Sequence, residues 1–360
     1  MIPLAWFAAA AALLLPQETA SKPGAESKPA SEELTSAVQL FAMERFDDAL
    51  ARLELLLAGS VDSRTRTKAR QLRGLIFIEQ HRYAEAAQAL GSAREEEPKD
   101  AVTLVSLARA KEMLGSVEEA QALLQEALAV APASADVLFA AGQFAHRRRD
   151  DNKTKLWLSQ ALAADPWSDS AASAHYALAA VAQRVGDDAG AAAQRALYKE
   201  KFDFSTKRTA LAKRLAVSPG DVKAARALGQ LYLHARLGRL ALPLLEPIAR
   251  GSRDRGLLLE WCDAALLCSD WERAQEAATQ ALAADPSGPS AHRRLAEAFT
   301  HLDKLEDAAS HWAQALAAGT ALSRDPSLRE LGSQIEVKAK AAGKGDLARR
   351  VAEILRRLGK

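Results

Sequence analysis

The strongest constraint on the fold is a proline that recurs at a fixed interval. Pro98, Pro132 and Pro166 are equally spaced, and each follows an alanine-rich stretch with a helical pattern. Proline lacks the amide hydrogen that a helix needs and clashes with the preceding turn, so a helix is predicted to end at the same point of each unit. A period of about 34 residues is typical of repeats that bury their apolar faces only by stacking. The prolines exclude a long coiled coil, whereas a set of unrelated amphipathic hairpins is the alternative.

Composition favours helices and a function that does not depend on bulk charge. Alanine is abundant and aromatic residues make up only 5% of the chain, and alanine is the strongest helix former. The 48 basic and 46 acidic residues leave a net charge of +2. This balance argues against a strong electrostatic attraction to nucleic acid or anionic lipid. The densest basic run, residues 146–149, is followed by Asp150 and Asp151 and is interpreted as a solvated turn.

Small and large apolar residues recur at the same places within each period. In residues 101–134, Leu104, Leu107 and Ala108 share one face of the first predicted helix, and Ala120 lies on one face of the second. Similar spacing covers residues 30–63, 67–100, 101–134, 135–168, 172–205, 222–254, 255–288 and 289–322. The pattern resembles the tetratricopeptide repeat (TPR), a helix–turn–helix unit of the same period. The resemblance implies an all-α fold, a right-handed TPR-like helical solenoid of about eight helix–turn–helix repeats with a C-terminal cap helix.

The chain is predicted to contain six segments in order. These are a signal peptide (1–20), a flexible linker (21–31), TPR-like repeats 1–5 (32–205), an irregular joint (206–221), TPR-like repeats 6–8 (222–322) and a C-terminal capping region (323–360). The joint begins with a helical pattern and either lengthens a helix or kinks the array, and Asp221 is predicted to cap the helix that follows it. In the last segment, Asp346 is predicted to start a helix over residues 347–358. The arginines of that helix are solubilising or, alternatively, form a basic patch for an anionic partner.

The first residues predict export. Residues 2–15 are apolar throughout, but as a helix they rise only about 21 Å, short of the ~30 Å hydrocarbon core of a bilayer. A run of this length fits the apolar region of a secretory signal, and no stable membrane span is predicted. The protein is therefore predicted to be exported, either periplasmic or secreted. The alternative is a cytoplasmic protein in which the apolar run forms an extra helix.

The sequence carries no recognisable catalytic or cofactor-binding motif. It has no phosphate-binding glycine loop, no dinucleotide-binding turn and no metalloprotease helix with paired histidines. Its 7 histidines are dispersed among different repeats, without the spacing of metal ligands. Cys262 and Cys268 lie about 9 Å apart along one predicted helix, too far for a disulfide. No catalytic, cofactor-binding or metal residue is therefore predicted, and the chain is interpreted as not being an enzyme.

The resemblance also implies where a partner binds. In TPR proteins the first helix of each unit lines a concave groove, and its second, fifth, ninth and twelfth positions face that groove. Protein-binding residues are therefore predicted at Lys68, Gln71, Arg109, Glu112, Gln143, His146, Arg226, Gln230, Asp263 and Arg293, with Asp136, Lys223, Glu260 and Glu297 on the same faces. Polar faces of mixed sign suit an extended peptide or a helix, although ordinary solvated helix faces are the alternative for any one residue.

These observations predict a non-catalytic scaffold for protein–protein interaction. It is predicted to be exported and to bind an extended segment or helix of a partner protein in the groove, without a nucleic-acid partner or a cofactor. A receptor for chaperone tails is disfavoured, because such TPR proteins clamp a carboxylate with lysines and asparagines of the groove, and the single asparagine here, Asn152, lies in a turn. The alternative function is a cytosolic assembly or regulatory adaptor.

Overall fold

The computed structural model describes residues 28–317 and 325–358, and these ranges form helices without a β-strand. They divide into two compact units, residues 1–205 and 206–360. The first unit contains α1 (Lys28–Ala42), α2 (Phe46–Ala58), α3 (Ser63–Glu79), α4 (Tyr83–Glu96), α5 (Ala101–Met113), α6 (Val117–Val130), α7 (Ala135–Arg147), α8 (Asp151–Ala164) and α9 (Ala171–Arg184). Helix α10 (Asp188–Val217) begins in the first unit and ends in the second. The second unit continues with α11 (Val222–His234), α12 (Gly238–Ala249), α13 (Arg255–Leu267), α14 (Trp271–Ala284), α15 (Pro289–His301), α16 (Leu305–Ala317), α17 (Pro326–Ala341) and α18 (Gly345–Leu358).

Successive helices pair into hairpins, numbered here 1 to 9 from α1/α2 to α17/α18. Within each unit, the first helix of a hairpin packs on the second helix of the hairpin before it. First helices of neighbouring hairpins also touch, for example α3 with α5 and α13 with α15. Contacts between neighbours along the chain are what stacked repeats require, because a single hairpin buries its apolar face only against the next one. The predicted all-α repeat fold is confirmed.

Aspartates fix where several first helices begin. The carboxylates of Asp62, Asp100 and Asp254 accept hydrogen bonds from the backbone N–H three residues later, at 3.0, 2.7 and 3.1 Å. Asp221 accepts from the amide of Ala224 at 3.0 Å and caps α11, as predicted. Each bond satisfies one of the amide groups that a helix leaves unpaired in its first turn.

The turn inside every hairpin contains one residue in the left-handed backbone conformation. In chain order these residues are Glu44, His81, Gly115, Arg149, Gly186, Arg236, Ser269, Asp303 and Gly343, with φ between +56° and +85°. Glycine adopts this conformation without strain, whereas a side chain crowds the following carbonyl. The turn geometry is therefore imposed by the hairpin, and at six of these positions a non-glycine residue tolerates it.

Two opposite substitutions at equivalent turns test this strain. Arg149→Gly is expected to raise the free energy of unfolding by about 0.5–1 kcal/mol, because relief of strain exceeds the entropic cost of glycine. Gly115→Ala, one repeat earlier, is expected to lower it by about 1 kcal/mol, because its φ of +85° suits only glycine. Urea unfolding followed by circular dichroism measures both changes. Changes of the same sign in the two variants would contradict the interpretation.

The two helices of a hairpin approach most closely where the first helix carries glycine. A Cβ atom added to Gly74, Gly142 or Gly229 would lie 2.5, 2.4 or 2.6 Å from the side chain of Leu90, Leu158 or Leu245, respectively. The separation along the chain is the same in all three pairs, so glycine at the eighth position of a repeat faces leucine at the twenty-fourth. A leucine of the second helix thus fills the space that glycine leaves on the first.

The apolar cores run through successive hairpins. In the first unit one core extends from Leu34 in α1 to Leu178 in α9. In the second unit one core runs from Ala241 to Ala298, and another from Ala296 to Val351, so that both include residues of α15. Among the described helices, none is both long enough and apolar enough to cross a bilayer.

Three predicted boundaries differ from the structure. The predicted signal peptide and residues 21–27 of the linker lie outside the described residues, but residues 28–31 already belong to α1, where the Thr35 hydroxyl donates to the Ser31 carbonyl at 2.8 Å. The predicted joint has no separate helix boundary at residue 206, because α10 continues unbroken to Val217, which is the lengthened helix given as one alternative for it. The structure divides into units at the residue where that joint was predicted to begin.

The third difference is at the C-terminus. The predicted single cap helix is paired with a further helix, α17, so the capping region forms hairpin 9. Helix α18 begins at Gly345, so Asp346 lies in its first turn and pairs with Arg349 instead of capping the helix from outside. The predicted apolar face is present, with Leu347 and Val351 buried.

Candidate functional site

A shallow pocket lies between α5 and α7, the first helices of hairpins 3 and 4. Its floor is apolar and its rim is polar. The floor consists of Val105, Ala108, Leu124, Phe139 and Ala140, and the rim of Arg109, Glu112, Gln143 and Arg147. Val105 and Phe139, and likewise Arg109 and Gln143, are one repeat apart and occupy the same repeat positions. The pocket therefore arises from the stacking itself, and it brings together three predicted site residues, Arg109, Glu112 and Gln143.

The charges of the rim are balanced within the protein. Arg147 makes a two-pronged ion pair with Glu112, with Nε–Oε1 at 2.8 Å and Nη2–Oε2 at 2.5 Å. Such pairing is among the stronger hydrogen-bonded arrangements in proteins. Burial lowers the pKa of Arg109, and the nearby carboxylate of Glu79 opposes that effect. Burial likewise raises the pKa of Glu79, with Arg109 acting in the opposite direction. Each arginine thus has a carboxylate near it, and the pocket has no excess charge with which to hold an ion.

Gln143 carries the most available polar group of the rim. Its amide Nε2 donates to the Ser173 carbonyl at 3.5 Å, the outer limit of a hydrogen bond. The side chain is half-buried. A primary amide both donates and accepts, so it matches the N–H and C=O groups of a peptide backbone.

His146 does not line the pocket. It is half-buried, and its Nδ1 atom has no hydrogen-bond partner among the described residues. Burial, followed by the charges of Arg184 and Arg147, lowers the pKa of His146, while Asp151 opposes the shift. At neutral pH His146 is therefore an uncharged side chain next to the ion pair between Arg184 and Asp151.

The predicted residues of hairpin 2 are placed differently. Gln71 is only 4% exposed, and its amide donates to Asp100 at 2.8 Å and to Thr103 at 2.7 Å. It links the N-terminus of α5 to α3 and is not part of an exposed surface. Burial, and then the charge of Arg64, lowers the pKa of Lys68. Neither Lys68 nor Asp136 lines the pocket.

The predicted residues of the second unit mainly join neighbouring hairpins. Arg226 contacts Glu260 through Nε and Nη2, both at 2.9 Å, and Asp254 at 2.6 Å. These hydrogen bonds, Glu260 foremost, raise the pKa of Arg226. The Gln230 amide donates to the same Glu260 at 2.8 Å. A side chain held in this way is not available to a partner without breaking a bond between repeats.

Other predicted residues of the second unit are also held in ion pairs. Asp263 pairs with both Nε and Nη2 of Arg294 at 2.6 Å, and Arg293 reaches Asp325 at 3.3 Å. Glu297 is half-buried and Lys223 is exposed. Sequence reasoning did not include Arg294 or Arg147, although opposite charges about one repeat apart on first helices were a signal for both.

Among the described residues, no group of three or more histidines, cysteines, aspartates or glutamates has a geometry suited to a metal ion. Cys262 and Cys268 are free. Burial raises the pKa of the Cys262 thiol, which donates to the Ala274 carbonyl at 3.3 Å. A buried, protonated thiol is unreactive.

Two histidines of hairpin 8 share one hydrogen bond. Nδ1 of His292 lies 2.8 Å from Nδ1 of His311, and Nε2 of His292 lies 3.3 Å from the Pro286 carbonyl. One Nδ1 must donate and the other accept, so the contact requires at least one neutral ring. Burial, followed by the charge of His292, lowers the pKa of His311, whereas Asp307 opposes the shift.

The second unit is therefore expected to lose stability as the pH falls from 7 to 5. In the unfolded chain His311 titrates near pH 6.5, above its lowered pKa in the folded state, so below that pH the unfolded chain binds more protons. His311→Phe is expected to reduce this pH dependence. His301→Phe, at an exposed ring stacked on Trp271, is the control and retains it. Urea unfolding at pH 7 and pH 5 tests the prediction. An equal loss of unfolding free energy between these pH values in wild type and in His311→Phe would contradict it.

Comparison with known proteins identifies the repeat class. Residues 77–144, from the end of α3 into α7, match the family model described as tetratricopeptide repeat. The match covers hairpin 3 and extends into α7 of hairpin 4, in agreement with the predicted resemblance. No curated protein matches the sequence significantly.

Solved structures with a similar arrangement are distant. A crystal structure of MamA is 17% identical, with a TM-score of 0.38, and the match covers 45% of this chain and 91% of that chain. PilF of Pseudomonas aeruginosa is 19% identical, with a TM-score of 0.34, over 65% of this chain and 99% of that chain. YrrB, described as a TPR protein with an unusual peptide-binding site, is 15% identical, with a TM-score of 0.28, over 67% of this chain and 96% of that chain.

Proposed function

We propose that this protein is a non-catalytic interaction scaffold whose first unit holds an extended segment or a helix of a partner protein. The observation that carries the proposal is the pocket between α5 and α7. It combines an apolar floor with the weakly held amide of Gln143. A pocket that is mainly apolar, with a few oriented polar groups, is typical of sites that bind an organic ligand or a side chain.

The polar residues of the rim determine which partner side chain fits the pocket. An aliphatic or aromatic side chain of the partner enters the apolar floor, and Gln143 bonds to the partner backbone beside it. Arg109 and Arg147 are balanced by Glu79 and Glu112, so they hold the walls of the pocket and do not clamp a carboxylate. The partner residue in the pocket is therefore uncharged.

Matched glutamine variants test the proposal. Gln143 and Gln230 occupy the same position of hairpins 4 and 6, but Gln230 already donates to Glu260 at 2.8 Å. Loss of one hydrogen bond worth about 0.5–1.5 kcal/mol weakens binding roughly two- to tenfold. Gln143→Ala is therefore expected to reduce recovery of a specific partner in affinity capture from the native host, and Gln230→Ala to leave it unchanged.

A second variant tests the pocket without removing a polar group. Ala140 lines the floor and is partly buried, so Ala140→Leu fills the pocket from within. Recovery of the same partner is expected to fall at least tenfold, while circular dichroism shows an unchanged helix content. Equal recovery with Gln143→Ala, Ala140→Leu and wild type would contradict binding at this pocket.

Export is the second part of the proposal, and the apolar run of residues 2–15 supports it. The mass of the protein purified from the native host is expected to lack about 20 N-terminal residues, and fractionation is expected to place it outside the cytoplasm. An intact N-terminus in the cytosolic fraction would instead support the cytosolic adaptor function.

A further inference from the structure

Hairpin 5 presents a face that differs from the corresponding face of the hairpins before it. In hairpins 2 to 4, the twenty-fourth and twenty-seventh positions of the repeat lie on the second helix and are buried. These residues are Leu90 and Ala93 on α4, Leu124 and Ala127 on α6, and Leu158 and Ala161 on α8. The first helix of the following hairpin packs on each of these second helices. On α10 the equivalent residues are Arg195, which is exposed, and Tyr198, which is half-buried.

Aromatic rings extend this face along two helices. The ring of Tyr198 lies 5.8 Å from that of Tyr176 on α9 and 5.7 Å from that of Phe202, one turn further along α10. Tyr176 is 63% exposed and Phe202 is 51% exposed. Three adjoining aromatic residues on a surface are uncommon, and aromatic residues are enriched where proteins bind one another. We call Tyr176, Arg195, Tyr198, Lys199 and Phe202 the hairpin-5 face.

The charge beside the rings is mainly positive. Arg195 donates to the side-chain oxygen of Gln183 at 2.7 Å and makes no ion pair with a described residue. Lys199 is exposed and likewise has no acidic partner among the described residues. Two exposed acids lie nearby on α10: Asp203, one turn from Lys199, and Glu200, which pairs with Lys201 at 3.0 Å. The hairpin-5 face therefore offers an aromatic centre flanked by two cations that remain available to acidic groups.

We propose that the hairpin-5 face binds an amphipathic α-helix of a partner protein, with acidic residues beside its apolar stripe. The stacking supplies the reason for a helix: α5, α7 and α9 lie on the corresponding faces of hairpins 2, 3 and 4. An apolar stripe of a bound helix packs on Tyr176, Tyr198 and Phe202, and its carboxylates pair with Arg195 and Lys199. This surface is separate from the pocket between α5 and α7 and does not depend on the function proposed for that pocket.

Two synthetic helical peptides test the proposal with the full-length protein. Both carry leucines at positions i, i+3, i+4 and i+7, and they differ only in having glutamates or lysines beside the stripe. Fluorescence anisotropy of the labelled peptides is expected to show at least tenfold tighter binding of the glutamate peptide. Phe202→Ala and Tyr198→Ala are each expected to weaken that binding at least tenfold. The double variant Arg195→Glu, Lys199→Glu is expected to reverse the preference between the two peptides.

Controls separate this surface from others. Leu240→Ala removes an apolar side chain of similar exposure, 50%, from α12 and is expected to leave peptide binding unchanged. Circular dichroism confirms that each variant is folded. Equal binding of the two peptides, no binding of either, or binding that survives Phe202→Ala would each overturn the proposal. So would a dimer that Phe202→Ala dissociates in sedimentation, because a second copy of the chain would then occupy the face.

Discussion

Trp312→Ala is expected to lower the free energy of unfolding of the second unit by about 3–5 kcal/mol, as for other large aromatic side chains removed from a core. Trp312 lies on α16, is fully buried and packs against α17. Its Nε1 donates to the Leu328 carbonyl at 2.7 Å, and its ring fills the space left by Gly332, where an added Cβ would lie 2.3 Å away. Alanine removes the packing that joins hairpins 8 and 9 and one hydrogen bond to the Leu328 carbonyl.

Two phenylalanine variants separate packing from the hydrogen bond. Trp312→Phe keeps most of the apolar contact but removes the hydrogen bond to the Leu328 carbonyl, a loss of about 0.5–1.5 kcal/mol. Trp261 is equally buried, but its Nε1 has no acceptor among the described residues. Trp261→Phe is therefore expected to cost less than Trp312→Phe, because it also removes an unpaired buried N–H.

Urea unfolding followed by circular dichroism at 222 nm measures these differences, since tryptophan fluorescence itself changes in the variants. A change below about 1 kcal/mol for Trp312→Ala would mean that hairpins 8 and 9 are not packed through this ring. An equal loss in the two phenylalanine variants would mean that the bond to Leu328 contributes nothing.

Gly142→Ala is expected to destabilise the first unit by about 1–3 kcal/mol, although alanine is the better helix former. The added Cβ would lie 2.4 Å from Cδ2 and 2.6 Å from Cγ of Leu158, and 3.3 Å from its backbone nitrogen. Leu158 is fully buried. Because cores are close-packed, relieving the contact requires either a shift of the Leu158 side chain against its neighbours or a separation of α7 from α8.

Gly91→Ala is the matched control, since it makes the same change inside α4 where no atom lies within 4 Å of the added Cβ. It is expected to stabilise the protein by up to about 1 kcal/mol through helix propensity alone. The two variants are thus expected to change the free energy of unfolding in opposite directions. In a double-mutant cycle with Leu158→Ala, Gly142→Ala is expected to lose most of its cost, because the clash is removed. Stabilisation by Gly142→Ala in the wild-type background would refute the close approach.

The sequence predicted the repeated elements well, because few residues determine a hairpin. The equally spaced prolines and Asp221 as a cap both correspond to features of the structure. Hairpin 9 was missed because its first helix is longer, with 16 residues against 13 in α15, and because more residues separate it from the helix before it, and both shift the second helix out of the period. Its left-handed turn residue, Gly343, accordingly lies more than one repeat beyond Asp303, the turn residue of hairpin 8.

The candidate site was predicted less completely, because the position of a residue within the repeat does not determine which group its side chain bonds to. The spacing placed Arg109, Glu112 and Gln143 on neighbouring helices, and the structure brings them to one pocket. It could not show that Gln71 is buried against the cap of α5, or that Arg226 is occupied by two carboxylates. These bonds depend on the rotation of one hairpin on the next, which is set by packing across the whole interface.

Site-specific photo-cross-linking in the native host tests most directly the claim that the first unit holds a partner segment. A photoreactive amino acid replaces Gln143 in one variant and Gln230 in another, at the same position of two hairpins. Mass spectrometry is expected to find one partner peptide cross-linked at position 143, with an uncharged side chain beside the linked residue, and none at position 230. Cross-links of equal yield at both positions, or to no defined peptide at position 143, would contradict the account.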